Sequence, residues 1–249
     1  MIVLIGLPNA GKSAIIKALT GKDLEVAPYP FTTRLPAPVM MPFENAWVEL
    51  IDTPPVTADA FDPELVALIK RADLCLFVVD LSDDDVLETV EILAHGLEER
   101  RAVPGYTSTP DQGEGTGMTP VKTILVGTRL DLDAGKVNME LLREFIDGRF
   151  PVHPLSPETG EGVEAFRVVL WEALDVIRIY PKAPGKKVTR EEPMYIHKGG
   201  TVIEFASKLH RDFGENLKSA RVWGSSLFDG QHVKSSHVLE DGDVVEFSM

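Results

Sequence analysis

The chain has 249 residues, 44% of them apolar and 26% charged, enough to build one large domain or a domain with an appendage around a full core. Its formal net charge of −14 argues against a body that binds polyanions by simple attraction, and its longest internal apolar run, LCLFVV at 74–79, is far too short to span a bilayer. A single cysteine, Cys75, lies inside that run, which excludes an internal disulfide and reads as small core filler in a reducing compartment.

The charge is unevenly placed. Residues 1–180 carry 15 basic and 29 acidic side chains, whereas residues 181–249 carry 10 of each and four of the six histidines. Two domains are therefore expected, the first repelling polyanions and the second neutral enough to approach RNA or a protein surface. The apolar N-terminus has no basic leader and is interrupted by Gly11-Lys12-Ser13, so it reads as a strand and not as a signal peptide, with a cytoplasmic address and no membrane partner.

In chain order, the apolar run Ile2 to Ile5 predicts a buried strand. It leads into Gly6 and then Gly11-Lys12-Ser13, which fits the phosphate-cradling pattern G-x-x-x-x-G-K-[ST]. A helix over about 13–20 follows, so the positive end of its dipole faces the loop. Phosphate-binding positions are Pro8, Asn9, Ala10, Gly11, Lys12, Ser13 and Ala14: backbone N–H groups turned inward, a lysine for the β- and γ-phosphates, and a hydroxyl for Mg²⁺. Residues 22–36, with Pro28, Pro30 and Pro36, read as a loop.

Strands at 37–42 and 46–51 come next, the second ending at Asp52. They are followed by a helix at 62–71, a strand at 73–80 and a helix at 83–101, with Asp83, Asp84 and Asp85 as its cap and favourable dipole charge. Residues 103–120, rich in Gly, Pro and Thr, read as a loop. A strand at 121–127, a helix at 138–148, a strand at 151–155 and a helix at 161–177 complete a mostly parallel sheet covered on both faces. Residues 181–193, PKAPGKKVTREEP, read as a linker. The tail at 194–249 predicts an extended MYIHK, a helix over 201–213 capped by Thr201, an ARVW strand and a terminal VVEFSM strand, an α+β pattern.

Position then assigns roles. A carboxylate at the end of a neighbouring strand is needed for the Mg²⁺ shell, and Asp52 in LIDTPP occupies that place, acting through water. A loop hydroxyl from Thr32 or Thr33 in YPFTTR completes the metal contacts. Within TRLD at 128–131, the Asp131 carboxylate would accept two hydrogen bonds from guanine N1–H and its amino group, which adenine does not offer. The expected ligands are GTP and GDP.

Gly6 to Ser13, YPFTT at 29–33, DTP at 52–54, TRLD at 128–131 and SPETG at 156–160 resemble the five ordered motifs of the Obg-type translational GTPases. The tail, with ARVWG at 220–224, GQHV at 230–233 and HVLEDGDVV at 237–245, is similar to a TGS domain, a small ubiquitin-like β-grasp module. The combination most resembles the developmentally regulated GTP-binding (DRG) proteins. The resemblance implies a P-loop NTPase G domain over 1–180, a linker and a TGS domain over 194–249. It also implies Mg²⁺-dependent GTP hydrolysis and association with the ribosome, RNA or a protein partner through the tail.

Carried over by position, the switch residues are Phe31, Thr32, Thr33, Asp52, Thr53 and Pro54, with Thr33 and Ser13 on Mg²⁺. The guanine-binding residues are Thr128, Arg129, Asp131, Ser156 and Pro157. Asn9 matches the asparagine that holds a monovalent cation in potassium-stimulated relatives; its plainer role is hydrogen bonding within its own loop. Val56 falls where Ras-type GTPases place a catalytic glutamine, so no catalytic side chain is assigned.

Several positions depart from the family. Pro55 replaces the glycine whose N–H is expected to meet the γ-phosphate, and proline has no N–H, which predicts weak GTP sensing and slow turnover unless a neighbouring N–H substitutes. Thr128 replaces asparagine, Arg129 replaces lysine, and Pro157 stands where alanine is common; each loosens the hold on the base while leaving Asp131 to select it. The chain starts at its first strand and has no room for the inserted domain of the DRG proteins.

In the tail, His210, His232 and His237 have no ligand spacing, so they read as surface or turn residues. Trp171 and Trp223 read as core anchors, with Trp223 alternatively exposed for base stacking. Two readings follow: a GTPase switch, or a non-switching guanine-nucleotide-binding interaction module in which Pro55 suppresses hydrolysis. An ATPase of the TGS-bearing Obg-like type is disfavoured by Asp131. Oligomeric state is not legible.

Overall fold

The computed structural model describes residues 1–21, 38–57, 61–106, 117–210 and 217–248. Contacts divide the chain into two compact units, Met1–Phe43 with Trp47–Leu170, and Trp171–Met249 with Glu44–Ala46.

The first unit is built on β1 (Ile2–Ile5), whose four residues are all buried. It lies between β3 (Ala46–Asp52) and β4 (Leu74–Asp80), parallel to both, in the registers Leu4 to Asp52 and Ile5 to Phe77. On its other edge β4 runs parallel to β6 (Thr119–Thr128), with Asp80 opposite Thr128. β1 and the first six residues of β4 are unbroken apolar runs because both of their faces are covered, as the central strands of a parallel sheet require. The register brings Gly6, Asp52, Asp80 and Thr128 to the same C-terminal edge of the sheet, where α/β folds bind ligands.

β2 (Pro38–Phe43) extends the sheet beyond β3, and a connection of two residues fits only an antiparallel return. Among the described residues this unit's helices are α1 (Lys12–Thr20), α2 (Pro63–Arg71), α3 (Val86–Glu98), α4 (Asp133–Ile146) and α5 (Val163–Leu174), the last running past the unit boundary after Leu170. Ile69, Val90, Leu93, Leu97 and Leu142 from α2, α3 and α4 join Val3, Ile5, Phe77 and Val79 in one core cluster, each worth about 1.5–3 kcal/mol relative to exposure. Alternate strand residues Ile2, Leu4 and Leu76 point to the opposite face and are equally buried, as are Ile15, Ile16 and Leu19 of α1 and Phe166 and Leu170 of α5. Arg167 of α5 donates to the Ala18 carbonyl at 3.2 Å.

The second unit has the strand order β11-β10-β12-β8-β9. Its strands are β8 (Val176–Lys182), β9 (Met194–His197), β10 (Ser219–Trp223), β11 (Gln231–Val233) and β12 (Val244–Ser248). β8 and β12 are parallel at the centre and the outer pairs are antiparallel. Helix α6 (Val202–Leu209) buries Val202, Phe205 and Ala206 against Ile177, Ile179, Ile196, Val222 and Phe247 of that sheet. Its start is set by a capping box in which the Thr201 N–H donates to Glu204 Oε2 at 2.7 Å.

Several sequence expectations differ from the structure. Residues 176–182 form β8 of the second sheet, so the expected first domain to residue 180 and the linker from 181 give way to a unit boundary at Leu170/Trp171. Helix α5 stops at Leu174 because Asp175 turns left-handed at φ 52°, and Ile177 and Ile179 then alternate into the second core. Residues 102–105 form β5 along the outer edge of β6, where Pro104 needs no ladder partner; β7 (Val152–Pro154) takes the next stretch of that edge. Helix α4 starts at Asp133 and not at 138, with Gly135 packed where a Cβ would collide with the Arg129 carbonyl. Asp83 caps a turn by accepting from the Asp85 N–H at 3.0 Å, and α3 begins only at Val86 with no side-chain cap. The tail helix spans 202–209, with Thr201 as its cap and His210 extended, the expected positions 211–213 lie outside the described residues, and β11 falls within GQHV.

Trp171 and Trp223 are half-buried rather than core. Trp171 meets Tyr195 edge-on and carries the Arg178 guanidinium over its ring, and Trp223 is covered on one face by Lys182.

Candidate functional site

The site grows from the turn between β1 and α1. Gly6 sits where any Cβ would collide with the Val78 carbonyl of β4, and Gly11 adopts φ 95° with a Cβ position 2.9 Å from Thr128 Cγ2. Asn9 is also left-handed at φ 63°, a conformation asparagine tolerates. Helix α1 then starts at Lys12 without a side-chain cap, which leaves its first N–H groups for an anion.

Lys12 is only 7% exposed, and its ammonium donates back to the carbonyls of Gly6 at 2.9 Å and Leu7 at 3.2 Å. Burial pulls its pKa below the ordinary lysine value, and the Asp52 charge opposes that pull. Ser13 Oγ donates to Asp52 Oδ2 at 2.7 Å. The other carboxylate oxygen, Asp52 Oδ1, is buried and has no hydrogen-bond partner among the described residues. A hydroxyl and a carboxylate at hydrogen-bond distance, with one buried acceptor left over, are a hard oxygen donor set that suits Mg²⁺.

The segment after Asp52 is fastened to the phosphate loop. Thr53, 3% exposed, donates its hydroxyl to the Leu4 carbonyl at 2.6 Å. Pro54 and Pro55 are exposed and have no N–H, and the Val56 N–H donates to the Gly6 carbonyl at 3.2 Å while its side chain is buried at 1% exposure. Phe31, Thr32 and Thr33 lie outside the described residues.

The side of the site expected to meet the base forms around the end of β6. Thr128, 2% exposed, has its hydroxyl 3.0 Å from the Ala10 carbonyl and 3.2 Å from that of Val79, so it ties the phosphate loop to β4 and β6. Arg129 turns left-handed at φ 61° and its guanidinium pairs with Asp80 Oδ2 at 2.6 Å and with Ser82 Oγ at 3.2 Å. Asp80 in turn accepts from the Ser82 N–H and hydroxyl through Oδ1. Asp131 is exposed, its carboxylate open to solvent.

The Ser156 loop closes on itself, with the Ser156 N–H on the Glu161 carbonyl, the Gly160 N–H on the Ser156 carbonyl, and the Thr159 N–H on Ser156 Oγ. Pro157 is partly exposed in that loop, and the Leu130 N–H reaches the Leu155 carbonyl at 3.3 Å to join it to the TRLD turn. Thus one edge of the first unit collects Pro8 to Ala14, Asp52, Thr53 and Pro54 with Thr128, Arg129, Asp131, Ser156 and Pro157.

Two contributors escaped sequence reasoning. Asp80 was hidden as the last residue of an apolar strand, although FVVD repeats the strand-then-carboxylate form of LIDT. Asn138 of α4 donates to the carbonyls of Leu81 at 2.8 Å and Asp83 at 3.1 Å, holding the turn beneath Arg129, and no local pattern marks it. No cluster of three or more His, Cys, Asp or Glu able to hold a metal occurs among the described residues, and the tail histidines do not converge. His237 closes a turn through its N–H to the Lys234 carbonyl.

Comparison with known proteins matches both units. Residues 1–107 match the family described as 50S ribosome-binding GTPase, and residues 177–249 match the TGS domain. An uncharacterized GTP-binding protein of Halobacterium salinarum is 27% identical over 98% of this chain and 81% of its own length. Developmentally-regulated G-protein 3 of Arabidopsis thaliana is 27% identical over 98% and 80%. Guanylate binding protein 128up of Drosophila melanogaster is 28% identical over 97% and 80%. The solved YchF GTPase of Schizosaccharomyces pombe shares the fold at a TM-score of 0.63 and 14% identity, over 100% of this chain and 97% of that one. The first unit is accordingly similar over residues 1–107 to a GTPase family and the second to the TGS domain, and the chain resembles GTP-binding proteins of the developmentally regulated type along nearly its whole length.

Proposed function

We propose that the chain binds GTP with Mg²⁺ and hydrolyses it slowly to GDP and phosphate, the nucleotide state governing association of its TGS unit with the ribosome. The observation that carries this reading is the Ser13–Asp52 contact beside an uncapped helix start, with Asp52 Oδ1 buried and unpartnered. Ser13, Thr33 and, through water, Asp52 would hold the metal, which when bound offsets the charge on the phosphate oxygens.

Backbone N–H groups from Asn9 to Ala14 would grip the phosphates, and Lys12, released from the Gly6 and Leu7 carbonyls, would supply a desolvated positive charge where negative charge gathers. Water adds to the terminal phosphorus as the bond to the β-phosphate oxygen breaks. Val56 has no polar side-chain atom to orient that water, so turnover is slow without help. Asn9 would hold K⁺ beside the phosphates, adding positive charge in the transition state. Guanine is selected by Asp131, with the Arg129 stem against the base plane and the Ser156-Pro157 loop at the carbonyl edge. The ribosome enters because the family matched by residues 1–107 is a ribosome-binding one, and RNA or another protein is the alternative partner of the TGS unit. A cytoplasmic location belongs to this reading; among the described residues no helix is long and apolar enough to cross a membrane.

The test is single-turnover hydrolysis of GTP and ATP with Mg²⁺, in K⁺ and in Na⁺, with Lys12→Ala as the blank. GTP-specific turnover faster in K⁺ is expected; GTP left intact in both salts would overturn the enzymatic reading.

A second reading is favoured by one observation. Pro54 and Pro55 offer no donor, and the next N–H, Val56, is already committed to Gly6. A segment so fastened would not respond to the γ-phosphate, and the chain would act as a non-switching guanine-nucleotide-binding module. Titration with GDP and a non-hydrolysable GTP analogue separates the two: affinities within about threefold favour the module, and a preference for the triphosphate above about tenfold favours the switch.

A further inference from the structure

The second unit presents a loop that the nucleotide site does not use. Between β10 and β11, the stretch GSSLFDG at 224–230 leaves Leu227 92% and Phe228 65% exposed. Single exposed apolar side chains are ordinary, but two large neighbours at one loop tip form a contiguous patch, and this loop is held rigidly around them.

Its base is fixed by Asp243, 1% exposed, which accepts from the Ser225 N–H at 2.7 Å, the Ser225 hydroxyl at 2.6 Å and the Glu240 N–H at 2.9 Å. Gly224 takes φ 128°, leaving that carboxylate the space a Cβ would fill. Higher up, Ser226 Oγ lies 2.8 Å from the Val222 carbonyl and 3.0 Å from that of Phe228, and the Leu227 N–H donates to Gln231 Oε1 at 3.0 Å. The Gly230 N–H returns to the Val222 carbonyl at 2.9 Å. The Ser225 and Ser226 hydroxyls and the N–H groups of Ser225, Leu227 and Gly230 are thus spent on ordering the loop, while its two apolar side chains face water. A contact made by such a loop costs little conformational entropy, which is how an anchor residue gains its affinity.

We propose that Leu227 and Phe228 are the anchor by which the TGS unit docks into an apolar cleft on a protein of the large ribosomal subunit. The assignment rests on the ribosome reading above and names the surface that carries it. Charge favours a protein over RNA as the occupant: Asp229 adjoins Phe228, and residues 181–249 balance 10 basic against 10 acidic side chains, so no surplus of positive charge draws phosphates to the tip. Leu227, the more exposed of the pair, offers no ring for base stacking. The nearby cation Arg221 has its Nε donating to His232 Nε2 at 2.9 Å, across the strand pair. A cleft edged by a lysine or arginine would complement Asp229.

The experiment is co-sedimentation of the full chain with purified large ribosomal subunits, at saturating GDP and at saturating non-hydrolysable GTP analogue. The wild type is expected to pellet with little loss between about 50 and 500 mM KCl, because apolar contacts are not screened. Leu227→Ser with Phe228→Ser should weaken binding at least about tenfold, while Arg221→Ala changes it less than about twofold. Both serine substitutions are at exposed positions, and an unchanged GDP affinity and melting temperature confirm that the variant is folded. A double variant that binds like the wild type overturns the anchor and leaves the ribosome reading intact. A steep fall with salt, together with loss in Arg221→Ala, assigns the contact to RNA instead. A wild type that stays in the supernatant removes the ribosome reading and the anchor together, with nucleotide binding unaffected.

Discussion

The phosphate side and the base side of the candidate site are made in different ways. On the phosphate side every feature is local: eight consecutive residues supply the turn, the lysine and the hydroxyl, and one carboxylate arrives from the adjoining strand through the Leu4 to Asp52 register. On the base side the pieces are held by distant partners, Thr128 by Ala10 and Val79, Arg129 by Asp80, and the Ser156 loop by Leu130 through Leu155. The phosphate side keeps its donors close to carbonyls that a ligand would displace, whereas the base side ties its residues into the scaffold. Substitutions should therefore act on ligand affinity in the first region and on both affinity and stability in the second.

The largest effect is expected at Lys12. Lys12→Ala removes a nearly buried ammonium whose hydrogen-bond partners among the described residues are two carbonyls, and nucleotide affinity should fall at least about hundredfold, roughly 3 kcal/mol, by calorimetric titration with GDP. The melting temperature of the nucleotide-free protein should stay unchanged or rise, since burial disfavours that charge. A drop in stability with affinity retained would reverse the contrast between the two sides.

Thr128→Val keeps the shape of a buried side chain and removes the hydroxyl that joins the phosphate loop to β6. A cost of about 1–2 kcal/mol is expected, about 2–8 °C in the melting temperature for a chain of this size, with a smaller loss of GDP affinity. Asp80→Ala releases Arg129. The pair is half-exposed on the arginine side, so stability should change by less than about 1 kcal/mol, while GDP affinity falls by about threefold to fivefold through loss of order at the base. Unaltered affinity would mean that Arg129 does not touch the nucleotide.

The smallest effect is in pH. His153, on the strand that leads to Ser156, is held below its ordinary value of 6.5 by burial and by Arg143. Its neutral form is the folded one, so above that value it costs nothing, and as pH falls below it the unfolded chain takes up a proton that the folded chain resists. Thermal melts between about pH 7.5 and 5.5 should show a loss that His153→Gln removes.

What the sequence made legible follows the same division. The strand, loop and helix from Ile2 to Thr20 were readable because an apolar run, two glycines of constrained geometry and a lysine fall within one short window. The partnership of Asp80 with Arg129 was not, since 49 positions separate them and neither residue announces the other. Thr128 reads as a weakened base contact, whereas its hydroxyl meets the Ala10 carbonyl of the phosphate loop 118 positions away, a partner that no local pattern marks. The second unit's β8 was missed for a local reason: Val176 to Tyr180 continues the apolar spacing of α5, and only the left-handed Asp175 breaks the helix. β5 was hidden by Pro104, which is tolerated only because that strand lies on the outer edge of β6.

The most direct measurement is the affinity of the full chain for GTP and ATP, each as its non-hydrolysable analogue with Mg²⁺, beside Asp131→Ala. Binding of the guanine analogue at least about hundredfold tighter than the adenine one, with that ratio collapsing in Asp131→Ala, is expected. Equal binding of the two analogues by the wild type, or a preference for adenine, would contradict a guanine-nucleotide site in this chain.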